Sequence, residues 1–170
     1  MSRRIIMVTG GQRSGKSEFA EKTARDLSDN PVYLATSQIL DDEMRHRVEI
    51  HRSRRGDEWK TVEEPLHLGS IDMTNRVVLV DCVTMWASNM LHICEGDGQE
   101  ALKRMKEEFD RFTAHDATYL IVTNEIGLGG TSANKLQRTF TDLQGSINRY
   151  IASSADDVYM LISGISMKIK

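Results

Sequence analysis

The sequence lacks any apolar run of eighteen or more residues, so we predict no membrane-spanning helix. Its basic N-terminus is followed only by the short, largely apolar run 5–9, which is too short for the core of a signal peptide. Cysteine is scarce: Cys82 and Cys94 have no metal-binding spacing, and we expect both to be reduced thiols. Together these absences favour a cytoplasmic protein.

The chain also lacks internal repeats, low-complexity tracts and linkers rich in proline, glycine or serine. Its 170 residues suffice for one sizeable core, and we predict a single domain over residues 1–170. The net charge of −3 disfavours a general nucleic-acid binder, because such proteins carry an excess of basic residues. A local basic patch remains compatible with phosphate binding.

What the sequence does contain is an alternation of short apolar runs and helical patterns. The runs are almost continuously apolar, as in strands buried on both faces of a parallel sheet. This alternation predicts an α/β domain with a mostly parallel central sheet flanked by helices, whose ligands bind at the C-terminal ends of the strands. The runs cover residues 5–10, 31–37, 76–82, 118–125 and 157–164, and the helical patterns lie near 15–28, 41–55, 84–93, 98–113 and 132–153.

The strongest motif is GGQRSGKS, which fits the phosphate-binding pattern G-x-x-x-x-G-K-[ST]. Its glycines let backbone N–H groups surround a phosphate chain, and the next helix directs its positive end there. Lys16 supplies a positive charge for the β- and γ-phosphates, and Ser17 a hydroxyl for Mg²⁺. A chance match is the alternative, but the motif lies between an apolar strand and a helix. The predicted nucleotide contacts in this loop are Gly10, Gly11, Gln12, Arg13, Ser14, Gly15, Lys16 and Ser17.

Two acidic residues lie at the ends of predicted strands and are candidates for the same pocket. Asp81 is the next-to-last residue of the run RVVLVDC and follows its apolar part, the pattern expected of the acid that holds Mg²⁺ beside a nucleotide. Its alternative role is to cap the helix that follows. Glu125 ends the run TYLIVTNE, and a place in the pocket and a purely structural hydrogen bond are equally compatible with that position.

A basic segment, DDEMRHRVEIHRSRR at residues 41–55, lies in this mildly acidic chain. Acidic residues at its start and arginines towards its end are typical of a charged surface helix. Helical spacing puts His51 on the apolar face of that helix, whereas His46 falls outside it. Neighbouring arginines favour a neutral imidazole and neutralise phosphate charge, so His51 is suited to attack a phosphate.

The absence of one motif limits the class of nucleotide-binding protein to which this chain can belong. A regulatory GTPase usually carries N/T-K-x-D to recognise guanine, and TNEIG at residues 123–127 lacks both the lysine and the aspartate. A motor or recombinase-type ATPase is usually longer. A small kinase is therefore the natural interpretation, and a nucleotide-dependent binding or regulatory protein is the alternative from another class.

Six segments together resemble the bifunctional adenosylcobinamide kinase / adenosylcobinamide-phosphate guanylyltransferase family of cobalamin biosynthesis. The similarity runs from residue 4 to the C-terminus, and the spacing of eight residues from His51 to Trp59 is more specific than the loop motif. The resemblance implies a P-loop NTPase fold of the RecA-like type and a homo-oligomer, a trimer. The segments are TGGQRSGKS, YLATSQILDDEM, HRSRRGDEWKTVEEP, LVDCVTMWASNML, TNEIGLG and SGISMKIK.

The resemblance implies a function in two steps. The protein is expected to phosphorylate the aminopropanol hydroxyl of adenosylcobinamide with ATP or GTP. It then attaches GMP from GTP to that phosphate and releases pyrophosphate. The family's covalent GMP carrier aligns with His51, as a GMP-histidine phosphoramidate. A plain small-molecule P-loop kinase, with His51 structural, is the alternative; since His51 and the loop are both intact, we predict both activities.

The loop and strand motifs together with the resemblance complete the predicted site. Lys16 and His51 are the predicted catalytic residues, and Ser17 and Asp81 the predicted Mg²⁺ ligands. One segment departs from the family pattern: LGGTSANKLQ, residues 128–137, lacks the proline and the acid that relatives often carry after TNEIG. The family's nucleotide contacts beyond the loop map onto Thr36, Ser37, Gln38, Arg52, Ser53, Arg54, Arg55, Glu63 and Asp81.

Overall fold

The computed structural model describes residues 2–38 and 56–170 and places seven strands in one sheet. Four α-helices lie in the described ranges: α1 (Lys16–Leu27), α2 (Val83–Ile93), α3 (Gly98–Phe112) and α4 (Lys135–Ser154). The strands are β1 (Arg4–Gly10), β2 (Val32–Ala35), β3 (Lys60–Glu63), β4 (Val77–Asp81), β5 (Thr118–Val122), β6 (Asp157–Ile162) and β7 (Ile165–Lys168). Two short 3₁₀ turns cover Leu68–Ser70 and Gly127–Gly129.

The strand order is β3-β2-β4-β5-β1-β6-β7, and every neighbouring pair is parallel except β6 and β7. The predicted mostly parallel sheet is therefore confirmed. Because β5 lies between β1 and β4, the C-terminal ends of these three strands meet at one edge. The phosphate-binding loop follows β1 and Asp81 ends β4, so this order positions the candidate site.

Helices cover both faces of the central strands. Successive side chains of β1 point alternately into two cores. The larger core includes Trp86 of α2 and Phe109 of α3, with residues of α4 beside them. The smaller core lies against α1, whose buried Ala20 and Ala24 let that helix approach the sheet closely. Burial on both faces is why the central strands are almost continuously apolar in sequence.

The predicted strands are confirmed, although four of the five end one to three residues before the apolar run does. The predicted helices near 15–28, 84–93, 98–113 and 132–153 correspond to α1–α4. The last begins at Lys135 because the side chain of Asn134 accepts a hydrogen bond from the Gln137 amide and caps the helix. The predicted helix at 41–55 lies outside the described residues.

Strands β3 and β7 are the two that the sequence patterns missed. Both lie at edges of the sheet and are largely exposed, so neither shows the apolar run of a central strand. β7 follows β6 through a two-residue turn in which Ser163 and Gly164 have φ of 51° and 82°. Two positive φ values are typical of the tight turns that join antiparallel strands.

None of the helices in residues 2–38 and 56–170 combines the length and apolar character needed to cross a bilayer.

Candidate nucleotide-binding site

The loop between β1 and α1 has the geometry of a phosphate cradle. A Cβ added to Gly10 would lie 2.4 Å from the carbonyl oxygen of Leu161, so no side chain fits at that position. Gly15 has φ of 92° and occupies the N-cap of α1, a left-handed conformation that glycine adopts without strain. The loop therefore leads directly into the positive end of a helix, where phosphates bind favourably.

Lys16 lies within this loop rather than in solvent. Its ammonium donates hydrogen bonds to the Gly11 carbonyl, at 2.5 Å, and to the Ser14 hydroxyl, at 3.4 Å. Burial lowers the pKa of Lys16, while the nearby thiol of Cys82 and carboxylate of Asp81 act in the opposite direction. The positive charge is thus held where a phosphate chain in the cradle would contact it.

The β6–β7 turn supports the loop from the side. The Gly164 N–H donates to the Ser14 carbonyl at 3.0 Å, and a Cβ on Gly15 would lie 3.4 Å from the Gly164 Cα. Ser14 is buried, whereas Gln12 and Arg13 are exposed at the loop's tip. The C-terminal hairpin therefore contributes to the shape of the cradle.

Asp81 lies at the C-terminal end of β4, two strands from β1, and is half-buried. The Tyr33 hydroxyl, from β2, donates a hydrogen bond to Asp81 Oδ2. The N-cap of α2 is Cys82 and has no side-chain cap, so the capping interpretation of Asp81 is wrong. Tyr33 orients the carboxylate, which the sequence patterns did not predict.

Thr36 joins the ends of β2 and β4. It is fully buried; its hydroxyl donates to the Cys82 carbonyl at 2.8 Å and accepts from the Cys82 N–H at 3.0 Å. The Asn89 amide of α2 donates to the Thr36 carbonyl at 2.8 Å. The hydroxyl of Thr36 is thus engaged with the backbone, and the half-buried Ser37 and Gln38 lie further out at the same sheet edge.

A buried polar cluster holds the end of β5. The Asn148 side chain of α4 accepts from the Thr123 hydroxyl at 2.7 Å and from the Gln144 amide at 2.8 Å, and it donates to the Asn124 carbonyl at 3.0 Å. Gln144 and Asn148 stand four residues apart on the apolar face of α4. Polar residues inside an apolar stripe were the available sequence signal for this cluster.

The predicted site residues do not all lie together. Glu63 ends β3 at the same sheet edge, four strand intervals from β1, which at about 4.8 Å each is roughly 19 Å. The loop, Asp81 and Glu125 occupy three consecutive strands instead. His51 and the predicted contacts Arg52, Ser53, Arg54 and Arg55 lie outside the described residues.

The geometry brings together a backbone cradle, a buried ammonium and a carboxylate at the carboxyl edge of a parallel sheet. This arrangement is suited to binding a nucleoside phosphate chain and to stabilising charge on it. The fold and the site define the class: a P-loop nucleotide-binding protein of RecA-like architecture.

Comparison with known proteins identifies the family within this class. Residues 6–169 match the CobU family, described as cobinamide kinase / cobinamide phosphate guanyltransferase. The chain belongs to this family. It is 40% identical to the bifunctional adenosylcobalamin biosynthesis protein CobU of Escherichia coli, over 98% of this chain and 99% of that protein. It is 36% identical to CobP, of the same description, from Pseudomonas aeruginosa, over 96% of each chain.

Solved structures of low sequence identity share the fold alone. A type III secretion ATPase of pathogenic bacteria superposes with a TM-score of 0.63 at 11% identity, over 98% of this chain and 57% of the ATPase chain. The flagellar accessory protein FlaH of Methanocaldococcus jannaschii gives 0.50 at 12% identity, over 99% and 79%. These likenesses show a shared fold and nothing further about activity.

Proposed function

We propose that this protein is a bifunctional enzyme that phosphorylates adenosylcobinamide with ATP or GTP and then transfers GMP from GTP to the new phosphate. The observation that carries the proposal is the phosphate cradle with Lys16 inside it, in a chain related over nearly its whole length to the bifunctional CobU proteins. The products are adenosylcobinamide-GDP and pyrophosphate. Residues 1–170 form the single catalytic domain in this proposal.

In the kinase step the loop binds the nucleotide's phosphate chain. Backbone N–H groups of residues 10–17 and the N-terminus of α1 face the β- and γ-phosphates. Lys16 stabilises the negative charge that develops on the leaving β-phosphate. Gln12 and Arg13 are exposed at the loop's tip, and in this proposal they contact the nucleotide from the solvent side. Ser37, Gln38 and Glu63 extend the proposed binding edge along β2 and β3.

Ser17 and Asp81 fit the role of Mg²⁺ ligands. Mg²⁺ prefers oxygen donors and is usually held by one or two protein groups together with substrate phosphates. The two residues supply a hydroxyl and a carboxylate, and Asp81 is near enough to Lys16 to raise the pKa of its ammonium against the effect of burial, which supports the assignment. When bound, the ion neutralises charge on the β- and γ-phosphates.

His51 is the proposed carrier of GMP in the second step. Its neutral imidazole attacks the α-phosphorus of GTP, pyrophosphate leaves, and the phosphate of adenosylcobinamide phosphate then displaces the histidine. The arginines Arg52, Arg54 and Arg55 stabilise the phosphate charge, and Ser53 completes this binding segment. Two displacements at one phosphorus thus replace a single, harder one.

Labelling with GTP that is radioactive in the α-phosphate tests this step. We expect a protein-bound label that acid removes and base does not, with release of pyrophosphate. His51→Ala removes the label and leaves adenosylcobinamide phosphorylation measurable, whereas the neighbouring variant His46→Ala keeps both. An unlabelled wild-type protein would refute the guanylyl transfer and leave a plain kinase; a label that persists in His51→Ala would refute the assigned carrier.

A homotrimer is the proposed assembly, and the β6–β7 hairpin supplies the supporting surface. Ile165, Met167 and Ile169 alternate along and beyond β7 and are 68%, 50% and 58% exposed. Ile162, 51% exposed, pairs with Ile165 and extends the same face. We call these four residues the hairpin face. A contiguous apolar patch on an edge strand is typical of a surface that a further chain covers.

We propose the cytoplasm as the site of action. Both cysteines, Cys82 and Cys94, are free thiols, as expected of a protein kept in a reducing compartment.

A further inference from the structure

Glu125 lies just beyond the C-terminal end of β5, the middle strand of the sheet, at the edge that carries the candidate site. In the sheet register, Val122 pairs with Val8 on one side and with Asp81 on the other. Glu125 follows Val122, the last residue of β5, by three residues. Its backbone therefore stands between the phosphate loop, which follows β1, and the carboxylate that ends β4.

Hydrogen bonds on both sides hold this position. The Glu125 N–H donates to the Gly10 carbonyl at 3.0 Å, which ties it to the first residue of the cradle. The preceding residue, Asn124, donates through its backbone and its side-chain amide to the Thr84 hydroxyl of α2, both at 3.1 Å. Its carbonyl accepts from Asn148 at 3.0 Å. These hydrogen bonds fix the backbone at Glu125 next to the first residue of the cradle.

The side chain of Glu125, in contrast, has no structural role among the residues that the structure describes. It is half-buried, and within 2–38 and 56–170 no group hydrogen-bonds or pairs with its carboxylate. The other carboxylates of this edge differ. Asp81 accepts from Tyr33, Glu64 accepts from the backbone amides of residues 66 and 67, and Glu63 lies on the distant β3.

A carboxylate near a phosphate cradle, without a partner in the described part of the chain, opposes the binding of a polyanion by charge repulsion. It becomes useful when a nucleophilic hydroxyl must lose a proton next to the γ-phosphate, because a carboxylate within hydrogen-bond reach accepts that proton. The segment after Glu125 leaves room for the group that carries the hydroxyl. Gly127, Gly129 and Gly130 bear no side chains, and Leu128 is 77% exposed.

We propose that Glu125 is the general base of the kinase step, an inference that rests on the kinase half of the proposed function. Its carboxylate takes the proton from the substrate hydroxyl as the oxygen forms a bond to the γ-phosphorus. The bond from the γ-phosphorus to the bridging oxygen breaks, and its electron pair stays on the β-phosphate of the departing nucleoside diphosphate. The guanylyl transfer needs no such base, because its acceptor is already an ionised phosphate.

The variant Glu125→Gln keeps the size of the side chain and removes the proton acceptor. With adenosylcobinamide and ATP labelled in the γ-phosphate, we expect kcat to fall about 10²- to 10³-fold. The Kd of ATP stays the same or decreases, because a negative charge has left the site. Guanylyl transfer to pre-formed adenosylcobinamide phosphate keeps its wild-type rate. Glu107→Gln, an exposed residue of α3, is the matched control and leaves both half-reactions unchanged.

Three results would overturn the inference. One is a Glu125→Gln enzyme with wild-type kcat; another is a loss that excess Mg²⁺ restores, which assigns the carboxylate to the metal; the third is an equal loss in both half-reactions, which assigns it a structural role. If the proposed function itself is wrong, the wild-type enzyme does not phosphorylate adenosylcobinamide at all. That result differs from each of the three above.

Discussion

At the scale of single residues, Lys16 shows how tertiary placement changes the chemistry of a motif. An exposed lysine stays charged up to a pH near 10.4. Lys16 is only 7% exposed, and burial lowers its pKa. Its ammonium therefore deprotonates at a lower pH than that of a surface lysine. Since a phosphate prefers the charged form, we expect nucleotide affinity to depend on pH through this residue.

We expect the Kd of ATP to rise with pH as soon as the pH exceeds the pKa of Lys16, below the range where ordinary lysines titrate. Lys16→Arg removes this alkaline rise, because arginine stays protonated. Lys16→Ala weakens binding by about 1.5–3 kcal/mol, or roughly 10- to 150-fold, the value of a charge-assisted hydrogen bond. Titration calorimetry from neutral to alkaline pH measures both effects, with the exposed Lys103→Arg as control. An alkaline rise that persists in Lys16→Arg would assign it to another group.

At the scale of elements, the candidate site depends on contacts that join the ends of neighbouring strands. Asn148 and Gln144 reach from α4 to the end of β5, and Thr36 joins β2 to β4. These polar groups are buried, so losing one partner leaves others unsatisfied in a low-dielectric interior. The stability of the helix layer and the geometry of the site are therefore linked.

Asn148→Ala tests this link. The change removes the acceptor of Thr123 and Gln144 and the donor to Asn124. We expect a loss of about 2–3 kcal/mol of unfolding free energy, which lowers Tm by about 4–12 °C in a protein of this length. Thermal unfolding at fixed protein concentration measures it. Arg149→Ala, the exposed neighbour on α4, should change Tm little; equal effects of the two substitutions would contradict the role of the cluster.

At the scale of the whole molecule, two parts of the β6–β7 hairpin have different surroundings. The turn contacts the phosphate loop, because the Gly164 N–H donates a hydrogen bond to the Ser14 carbonyl. The hairpin face is exposed. Assembly of further chains on that face would therefore lie close to the nucleotide site.

Light scattering after size-exclusion chromatography tests the assembly. We expect wild-type protein to have the mass of a trimer, and the double variant Ile165→Lys/Met167→Lys that of a single chain, because two charges on the hairpin face oppose its burial. Ser166→Lys places a charge on the opposite face of β7 and serves as the control. A monomeric wild type, or a double variant of unchanged mass, would contradict the proposal.

Whether a strand was predicted from the sequence depends on whether it lies at the centre or at an edge of the sheet. The central strands were predictable because burial on both faces makes each of them apolar, and the phosphate loop because its motif occupies one continuous stretch of sequence, residues 10–17. Strands β3 and β7 were not, because exposed edge strands carry mixed side chains. The capping interpretation of Asp81 was wrong because the helix begins at Val83, with Cys82 as its N-cap.

The sequence by itself determined the local features: the loop, the alternation of strands and helices, and the resemblance to a family of kinases and guanylyltransferases. Each of these depends on residues that are close together along the chain. Only the tertiary structure decided which strand ends are neighbours. Tyr33 meets Asp81 across 48 residues and Glu125 meets Gly10 because β2 adjoins β4 and β5 adjoins β1. Such pairs depend on strand order, which no local pattern encodes.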